Sequence, residues 1–418
     1  MELNKFDDTF RYNQLYNRVL VLRILAIGDT ANNAYMMSQI VFKTHMDIIN
    51  FPRIGAAKLT YSGNVRFFKS HLISDQVKEI NHIKSDYDLC FVSSWEGARV
   101  AYLANLNYIF FFVGGDILEQ PFIKNARTSY LNEPIHQKSF FERWFLKQVL
   151  QSAIACVTYG GKDFLEKLKK FHSNVYRMDM IPVDPIFFKK HFPINKEKKK
   201  FTFLSPQRFG PQKGSDIIWE AVELTKSDFI ILQLDWFDKR NLEEKRIGEK
   251  LRKTKSEKIK FIPMIPWNEM PSYYTWADAV MGQMRFRHGG IEREAVLCGT
   301  PVLNYNDINE TYLINNQECV SNFLPNSNDP KDLAKIIDKV VEDEKFRKEL
   351  HKNELEFVLR LTDPKIIGEY WDDIFEKVFN ICHNINRNQS FGELKIWNFV
   401  TKVMENLIYK KKWKYKEI

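Results

Sequence analysis

Cysteine is scarce, and its placement excludes more than its number does. Cys90, Cys156, Cys298, Cys319 and Cys382 are widely spaced, odd in count and mostly in apolar surroundings, with no C-x-x-C pair. Neither a disulfide framework nor a thiolate zinc or redox motif is expected, and the chain reads as belonging to a reducing, cytoplasmic compartment. Long apolar runs are missing too. None approaches the roughly 18 residues of a membrane-spanning helix, so any membrane contact is expected to be peripheral. The opening Met1-Glu2-Leu3-Asn4-Lys5-Phe6-Asp7-Asp8 is polar and acidic, unlike a secretory leader. No histidine cluster or D-x-D stands out as a metal site, and no resident metal or cofactor is expected.

What is present suits a globular protein with ample core. A length of 418 residues predicts two or three domains. A formal net charge of +9 favours anionic partners: nucleotides, phosphorylated lipids, membrane surfaces or nucleic acid. The densest charge run, Lys196-Glu197-Lys198-Lys199-Lys200, follows Pro193. It reads as a solvated interdomain connector rather than a nucleic-acid contact, and no nucleic-acid partner is expected.

Buried-strand runs alternate with helical patterns before that connector. Arg18 to Gly28 is a near-continuous apolar strand, and Asp29-Thr30-Ala31-Asn32-Asn33-Ala34 opens a helix to about Lys43, with Asp or Thr as its cap. Asn32 and Asn33 lie where ligands of open α/β sheets bind, at a strand's carboxyl end; a plain polar turn is the other reading. Asp88–Val92 is a strand, Ser93–Gly97 a loop and Ala98–Leu106 a helix. Tyr108–Val113 is a strand stopped by Gly114-Gly115-Asp116, Phe140–Ala153 a helix, Ala155–Thr158 a strand and Lys162–Lys170 a helix. The alternation is that of a doubly wound parallel sheet.

It restarts at Phe201–Leu204. The basic loop Gln207–Gly214 and a helix over Ser215–Leu224, capped by Ser215, come next. Phe229–Leu234 and Ile259–Ile262 are strands, Trp267–Trp276 a helix and Ala279–Gly282 a strand. After Val302–Asn304, two amphipathic helices span Asp329–Asp343 and Glu344–Leu361, and a helix runs from Lys365 to about Asn380. Two α/β domains without sequence repeats, 1–190 and 191–364, would face each other across a cleft, with C-terminal helices over 365–418. The segment Lys395–Ile418 is helical by its apolar spacing and carries seven Lys against two Glu. Such a segment suits an anionic membrane surface; a packing helix with a solvated tail is the alternative.

The most informative stretch is His288-Gly289-Gly290-Ile291-Glu292-Arg293-Glu294, which opens a short helix closed by Cys298-Gly299-Thr300-Pro301. Gly289 and Gly290 let the backbone approach a ligand, and the helix N-terminus offers N–H groups and positive dipole to a phosphate. Glu294, placed near the first turn, can accept hydrogen bonds from sugar hydroxyls. Arg208 and Lys213 can clamp a diphosphate, one as a planar fork and one as a point charge.

Several of these segments resemble the retaining GT-B glycosyltransferases of the family-four type (glycosyl transferases group 1). Arg208-x4-Lys213-Gly214 resembles that family's diphosphate loop, and Glu294–Val302 matches its E-A-x-x-x-G-x-P-V segment. Ile181-Pro182-Val183-Asp184-Pro185, Gly114-Gly115-Asp116 and Asn328–Ala334 are similar to further family segments. The resemblance implies a GT-B fold and metal-independent transfer of a sugar, with retention, from a nucleotide-sugar to a glycan or lipid-linked acceptor hydroxyl. It assigns Arg208, Lys213 and Glu294 to catalysis. His288, Gly289, Gly290 and Ile291 are the expected donor contacts; Gly115 and Asp116 by resemblance, and Asn32 and Asn33 by their place at the strand end, are the expected acceptor-cleft residues. One departure is plain: the family's first Glu, eight residues before the match to Glu294, is Phe286 here. His288, next to the glycines, is the candidate substitute contact, with a turn histidine as the other reading; a degenerate GT-B binding or scaffold protein is the alternative that Phe286 supports.

Overall fold

The computed structural model describes residues 21–29, 32–51, 65–113, 139–184, 187–237, 242–285, 289–307, 309–321, 323, 329–384 and 391–412. The first sheet holds β1 (Leu22–Ile27), β2 (Thr44–Asn50), β3 (Val65–Phe67), β4 (Leu89–Val92), β5 (Tyr108–Phe112), β6 (Ala155–Thr158) and β7 (Val175–Arg177). Its order is β3-β2-β1-β4-β5-β6-β7, and every neighbouring pair is parallel. The connecting helices are α1 (Asn33–Ile40), α2 (Ile73–Asn81), α3 (Trp95–Leu103), α4 (Phe140–Gln151) and α5 (Gly161–Lys169). The runs LCFV in β4 and YIFFF in β5 are buried at every position, as strands covered on both faces must be.

The second sheet holds β8 (Phe201–Ser205), β9 (Phe229–Leu234), β10 (Ile259–Ile262), β11 (Ala279–Met281) and β12 (Val302–Leu303), in the order β10-β9-β8-β11-β12 and again parallel. With it come α6 (Ser215–Leu224), α7 (Leu242–Lys253), α8 (Met270–Trp276) and α9 (Gly290–Leu297). An antiparallel hairpin of β13 (Thr311–Ile314) and β14 (Gln317–Val320) follows. Four further helices follow among the described residues: α10 (Pro330–Glu342), α11 (Glu344–Leu361), α12 (Pro364–Asn384) and α13 (Phe391–Lys412).

The last two helices leave the second sheet and pack on the first. Trp371 of α12 meets Phe91 and Phe111 edge-on at 5.5 and 5.4 Å between ring centres. Asp372 accepts the N–H groups of Phe42 and Lys43 at 2.8 and 3.0 Å and the Thr44 hydroxyl at 2.7 Å. It thereby satisfies the backbone that leads into β2. On α13, Glu405 accepts the N–H of Ile73 at 2.5 Å and of Ser74 at 3.3 Å, which complements the N-terminus of α2.

Several elements differ from what periodicity predicts. Helix α3 begins at Trp95 rather than Ala98, because Ser94 caps it by accepting the Gly97 N–H at 3.1 Å. The expected cap of α6, Ser215, is instead its first residue. Gly214 is the cap residue, left-handed at φ 74°, and the Ser215 hydroxyl accepts the Gly210 N–H at 2.9 Å. Trp267–Trp276 divides into a 3-10 turn at Trp267–Glu269 and α8. Glu294 lies in the second turn of α9, not the first.

Candidate active site

Strand order creates the site before any side chain does. From β8 the chain moves outward through β9 and β10, then returns past β8 to β11. The loops after β8 and β11 diverge there and leave a crevice at the carboxyl ends. The first loop carries Arg208 and Lys213; the second carries Gln283, Met284 and Arg285 and leads to α9.

These two loops are joined into one unit. Lys213 Nζ donates to Gln283 Oε1 at 2.7 Å, and Met284 N–H donates to the Lys213 carbonyl at 2.9 Å. Arg285 pairs with Asp216 in the first turn of α6. A Cβ on Gly214 would lie 2.8 Å from Met284 Cβ, so glycine serves both the left-handed backbone and the close approach. Burial lowers the pKa of the Lys213 ammonium; the Glu292 charge opposes that shift, and neighbouring Arg208 reinforces it. The two cations are therefore near enough to act on one ligand, and each gains by an anion's arrival.

Glu292, at the wrong offset to match the family's first Glu, turns inward and is only 2% exposed. Its Oε1 accepts the Gln283 N–H at 3.1 Å and its Oε2 the Gly289 N–H at 2.8 Å. The latter is half of a capping box, reaching back to the residue before the helix. A Cβ on Gly282 would crowd this carboxylate at 3.0 Å. One expected donor is thereby corrected: the Gly289 N–H is already engaged. Gly290 and Ile291 open α9, where N–H groups have no intrahelical acceptor.

Glu294 places its carboxylate beside Gly290, with Oε2 accepting the Tyr274 hydroxyl at 3.1 Å. Burial pushes its carboxyl up to about 7, while the Tyr274 hydrogen bond pulls down and the Glu292 charge pushes up. The group is balanced between protonated and ionised near neutral pH. Hydroxyl donors from a ligand would tip it to the carboxylate.

The first sheet has its own switch point between β1 and β4. Asn32 and Asn33 are both buried there. Asn32 is left-handed at φ 62°, and its Oδ1 is buried without a hydrogen-bond partner among the described residues. Buried Asp29 accepts the N–H groups of Ala34 and Tyr35 at 2.9 and 3.3 Å, so it serves the start of α1. Gly115, Asp116, Phe286 and His288 lie outside the described residues. A D-x-D does occur, contrary to the expectation: Asp86-Tyr87-Asp88. It precedes β4 at the opposite, amino edge, where Asp88 accepts the Arg23 N–H at 2.8 Å. Among the described residues no group of three or more His, Cys, Asp and Glu is placed to hold a metal ion.

Arg293, between the two site glutamates, is fully buried and points the other way. Its Nη2 donates to the Tyr159 hydroxyl at 2.6 Å, and its guanidinium lies over that ring at 5.4 Å. It also reaches the carbonyls of Asp179 and Ile181 at 3.5 Å. A second junction lies nearby. Arg177 and Asp179 form a buried pair at 2.5 Å, Arg177 reaches Glu318 at 2.9 Å, and Asp179 accepts the Leu313 N–H at 2.7 Å. The carboxyl ends of β6 and β7 are thus held against α9 and the β13–β14 hairpin.

Sequence reasoning missed Gln283, Tyr274 and Arg293. Gln283 had a signal, a polar side chain directly after an apolar strand and its closing Gly282. The buried roles of Tyr274 and Arg293 had none, because each depends on a partner at least 20 residues away.

Residues 187–357, which include the second sheet, Arg208, Lys213 and Glu294, match the family model described as Glycosyl transferases group 1. No curated protein matches the chain in sequence. Among solved structures, sucrose-phosphate synthase from Thermosynechococcus elongatus superposes with a TM-score of 0.60 at 15% identity, over 86% of this chain and 100% of that one. Anabaena HepE, in complex with UDP and glucose, gives 0.58 at 13% identity, over 85% and 100%. A glycosyltransferase from Rickettsia africae gives 0.54 at 14% identity, over 86% and 99%. At such identities the likeness is one of fold: a GT-B α/β arrangement with a helical C-terminal region.

Proposed function

We propose that this protein is a glycosyltransferase that moves a sugar from a nucleotide-sugar to a hydroxyl of a glycan or lipid-linked acceptor, with retained configuration. The observation that carries this reading is the joined pair of loops at the second switch point. Two cations and the N-terminus of α9 converge there on one edge, with Glu294 beside them.

The chemistry follows from charge. The bond from the anomeric carbon to the diphosphate oxygen breaks, the acceptor oxygen bonds to that carbon, and the acceptor's proton passes to the leaving diphosphate. Negative charge grows on the diphosphate in the transition state. Arg208, Lys213 and the N–H groups of Gly290 and Ile291 would meet it in fixed positions. Glu294 would accept the ribose hydroxyls, and His288 would sit beside the donor glycines. No resident cofactor is part of this scheme, since the two cations supply the charge that a metal supplies elsewhere. Asn32, Asn33, Gly115 and Asp116 would line the acceptor side, and nucleic acid is not an expected acceptor. A cytoplasmic location fits the free thiols and the donor.

The test is a thermal-shift series with UDP, GDP, TDP and their sugars, followed by transfer assays on the stabilising donor. A ligand bound at 100 times its Kd stabilises by about 2.7 kcal/mol, a readily measured shift. Absence of stabilisation by every nucleoside diphosphate would reject the donor site. Stabilisation without transfer or hydrolysis would favour the second reading, a GT-B binding or scaffold protein, which Phe286 in place of Glu supports.

A further inference from the structure

The two helices α4 and α13 lie side by side on the first sheet's helical layer. Each buries one face there. On α13, Leu394 and Trp397 enter the core, and Asn398 donates to the Leu103 carbonyl at 3.2 Å. On α4, Phe145, Leu146, Val149 and Leu150 are buried. The helices meet at an aromatic seam, where Trp397 contacts Trp144 at 5.1 Å and Phe145 at 4.7 Å. The membrane expectation for the C-terminal segment is therefore altered: the inner stripe of α13 is a packing face, and only its outer stripe is available.

That outer stripe is apolar. Phe399 is 69% exposed, Ile396 62% and Met404 51%; across the seam Phe140 is 68% exposed, Phe141 66% and Trp144 44%. Nearly half of the large apolar side chains exposed among the described residues sit on these two helices. Scattered exposure needs no explanation, but a rimmed aromatic patch does. The rim is cationic. Lys147, Lys395 and Lys402 are exposed on the same two helices, Lys402 on the side toward Asp75 of α2. The acids turn elsewhere: Glu142 pairs with Arg99 at 3.4 Å, Glu393 is partly buried, and Glu405 serves the start of α2. Helix α13 ends at Lys410-Lys411-Lys412, and the next residues are Trp413, Lys414, Tyr415 and Lys416.

We propose that the outer faces of α4 and α13 form a single docking surface for an anionic lipid bilayer. The exposed rings enter the interface between headgroups and chains, and the lysines face anionic headgroups. The occupant is chosen by charge: apolar rings surrounded by outward lysines, with the carboxylates drawn inward, complement a negative surface. No described helix is long and apolar enough to cross a membrane, so the contact lies on the surface. The proposal stands apart from sugar transfer, because it is tested without donor or acceptor.

The full-length protein is sedimented with vesicles of phosphatidylcholine plus phosphatidylglycerol, and with phosphatidylcholine alone. Binding to the anionic vesicles is expected, weakened by salt. The doubly substituted Phe141→Ser/Phe399→Ser protein should lose about tenfold or more in partitioning. Lys395→Glu and Lys402→Glu should each lose about fivefold. All four positions are exposed, and circular dichroism checks that each variant is folded. No binding by the native protein, equal binding to both vesicle types, or undiminished binding by the double variant would each overturn the proposal. So would a dimer in sedimentation velocity that the double variant dissolves, since the face would then join two copies of this chain.

Discussion

The two switch points share a topology and differ in charge. At each, a first strand is flanked by an outward-running neighbour and by the strand that follows the return. At the second sheet's edge, Lys213 is held by Gln283 with Arg208 nearby, and Glu292 ties down the loop backbone. At the first sheet's edge the near residues are Asn32 and Asn33, neutral amides, and the carboxylate of Asp29 is bonded to backbone N–H groups. Topology therefore supplies a crevice at each edge, and the side chains make one cationic and the other neutral; under the proposed function the cationic edge would take a diphosphate and the neutral edge a hydroxyl-bearing acceptor.

The contrast breaks most easily at Lys213. Lys213→Ala should cost about 2–4 kcal/mol of transition-state stabilisation, a hundredfold or more in transfer rate, and should weaken nucleoside diphosphate binding measured by calorimetry. Unchanged turnover would remove the diphosphate assignment. Next is the joint between the edges. Arg293→Met removes the guanidinium's hydrogen bond to the Tyr159 hydroxyl and should lower stability by about 2–3 kcal/mol, read by thermal or denaturant unfolding. A native-like midpoint would show that the buried guanidinium does not hold the edges together.

Glu294 offers a pH test. Its carboxyl, at about 7 in the folded protein against an ordinary 4.5, holds its proton more tightly when folded. The stability it adds is complete below the unfolded value and is lost as pH rises toward 7. Hydroxyl donors from a nucleotide reverse that preference, so affinity should rise up to about tenfold between pH 6 and 8. Glu294→Gln should flatten the profile; a slope that persists in this variant would place the titrating group elsewhere. The smallest effect belongs to the first edge. Asn32→Gly keeps the left-handed backbone and should change stability by less than about 1 kcal/mol. It should leave nucleotide affinity untouched while raising the KM for acceptor. A matching loss of nucleotide affinity would mean that the two edges do not divide the ligands.

Much of this was legible in the residues. The apolar runs of β1, β4, β5, β8 and β9 stand out because both faces of each strand are covered. The glycine-led helix α9 announces itself by composition. Strand β2, Thr-His-Met-Asp-Ile-Ile-Asn, was not seen, since His45 and Asp47 interrupt its apolar pattern where they pair near the sheet's amino edge. The three-residue strands β3 and β7 are too short for any period, and the β13–β14 hairpin mixes polar and apolar residues along one face of a domain junction. At the site, Arg208, Lys213 and Glu294 were readable as charges near glycines. Glu292 was set aside by its offset, though its carboxylate shapes the loop. Offsets report resemblance, whereas hydrogen bonds report what a side chain holds.

The return of α12 and α13 to the first sheet has a consequence for the order in which the protein is made. A ribosome that has released residues 21–184 has released every strand of that sheet but not its covering. Trp371, which closes over Phe91 and Phe111, and Asp372, which occupies the backbone before β2, are still to be synthesised. So is Glu405, which completes the start of α2. The first sheet thus takes part of its covering from residues that follow it in the chain by roughly 200 positions, and that face stays open until α12 and α13 have been made.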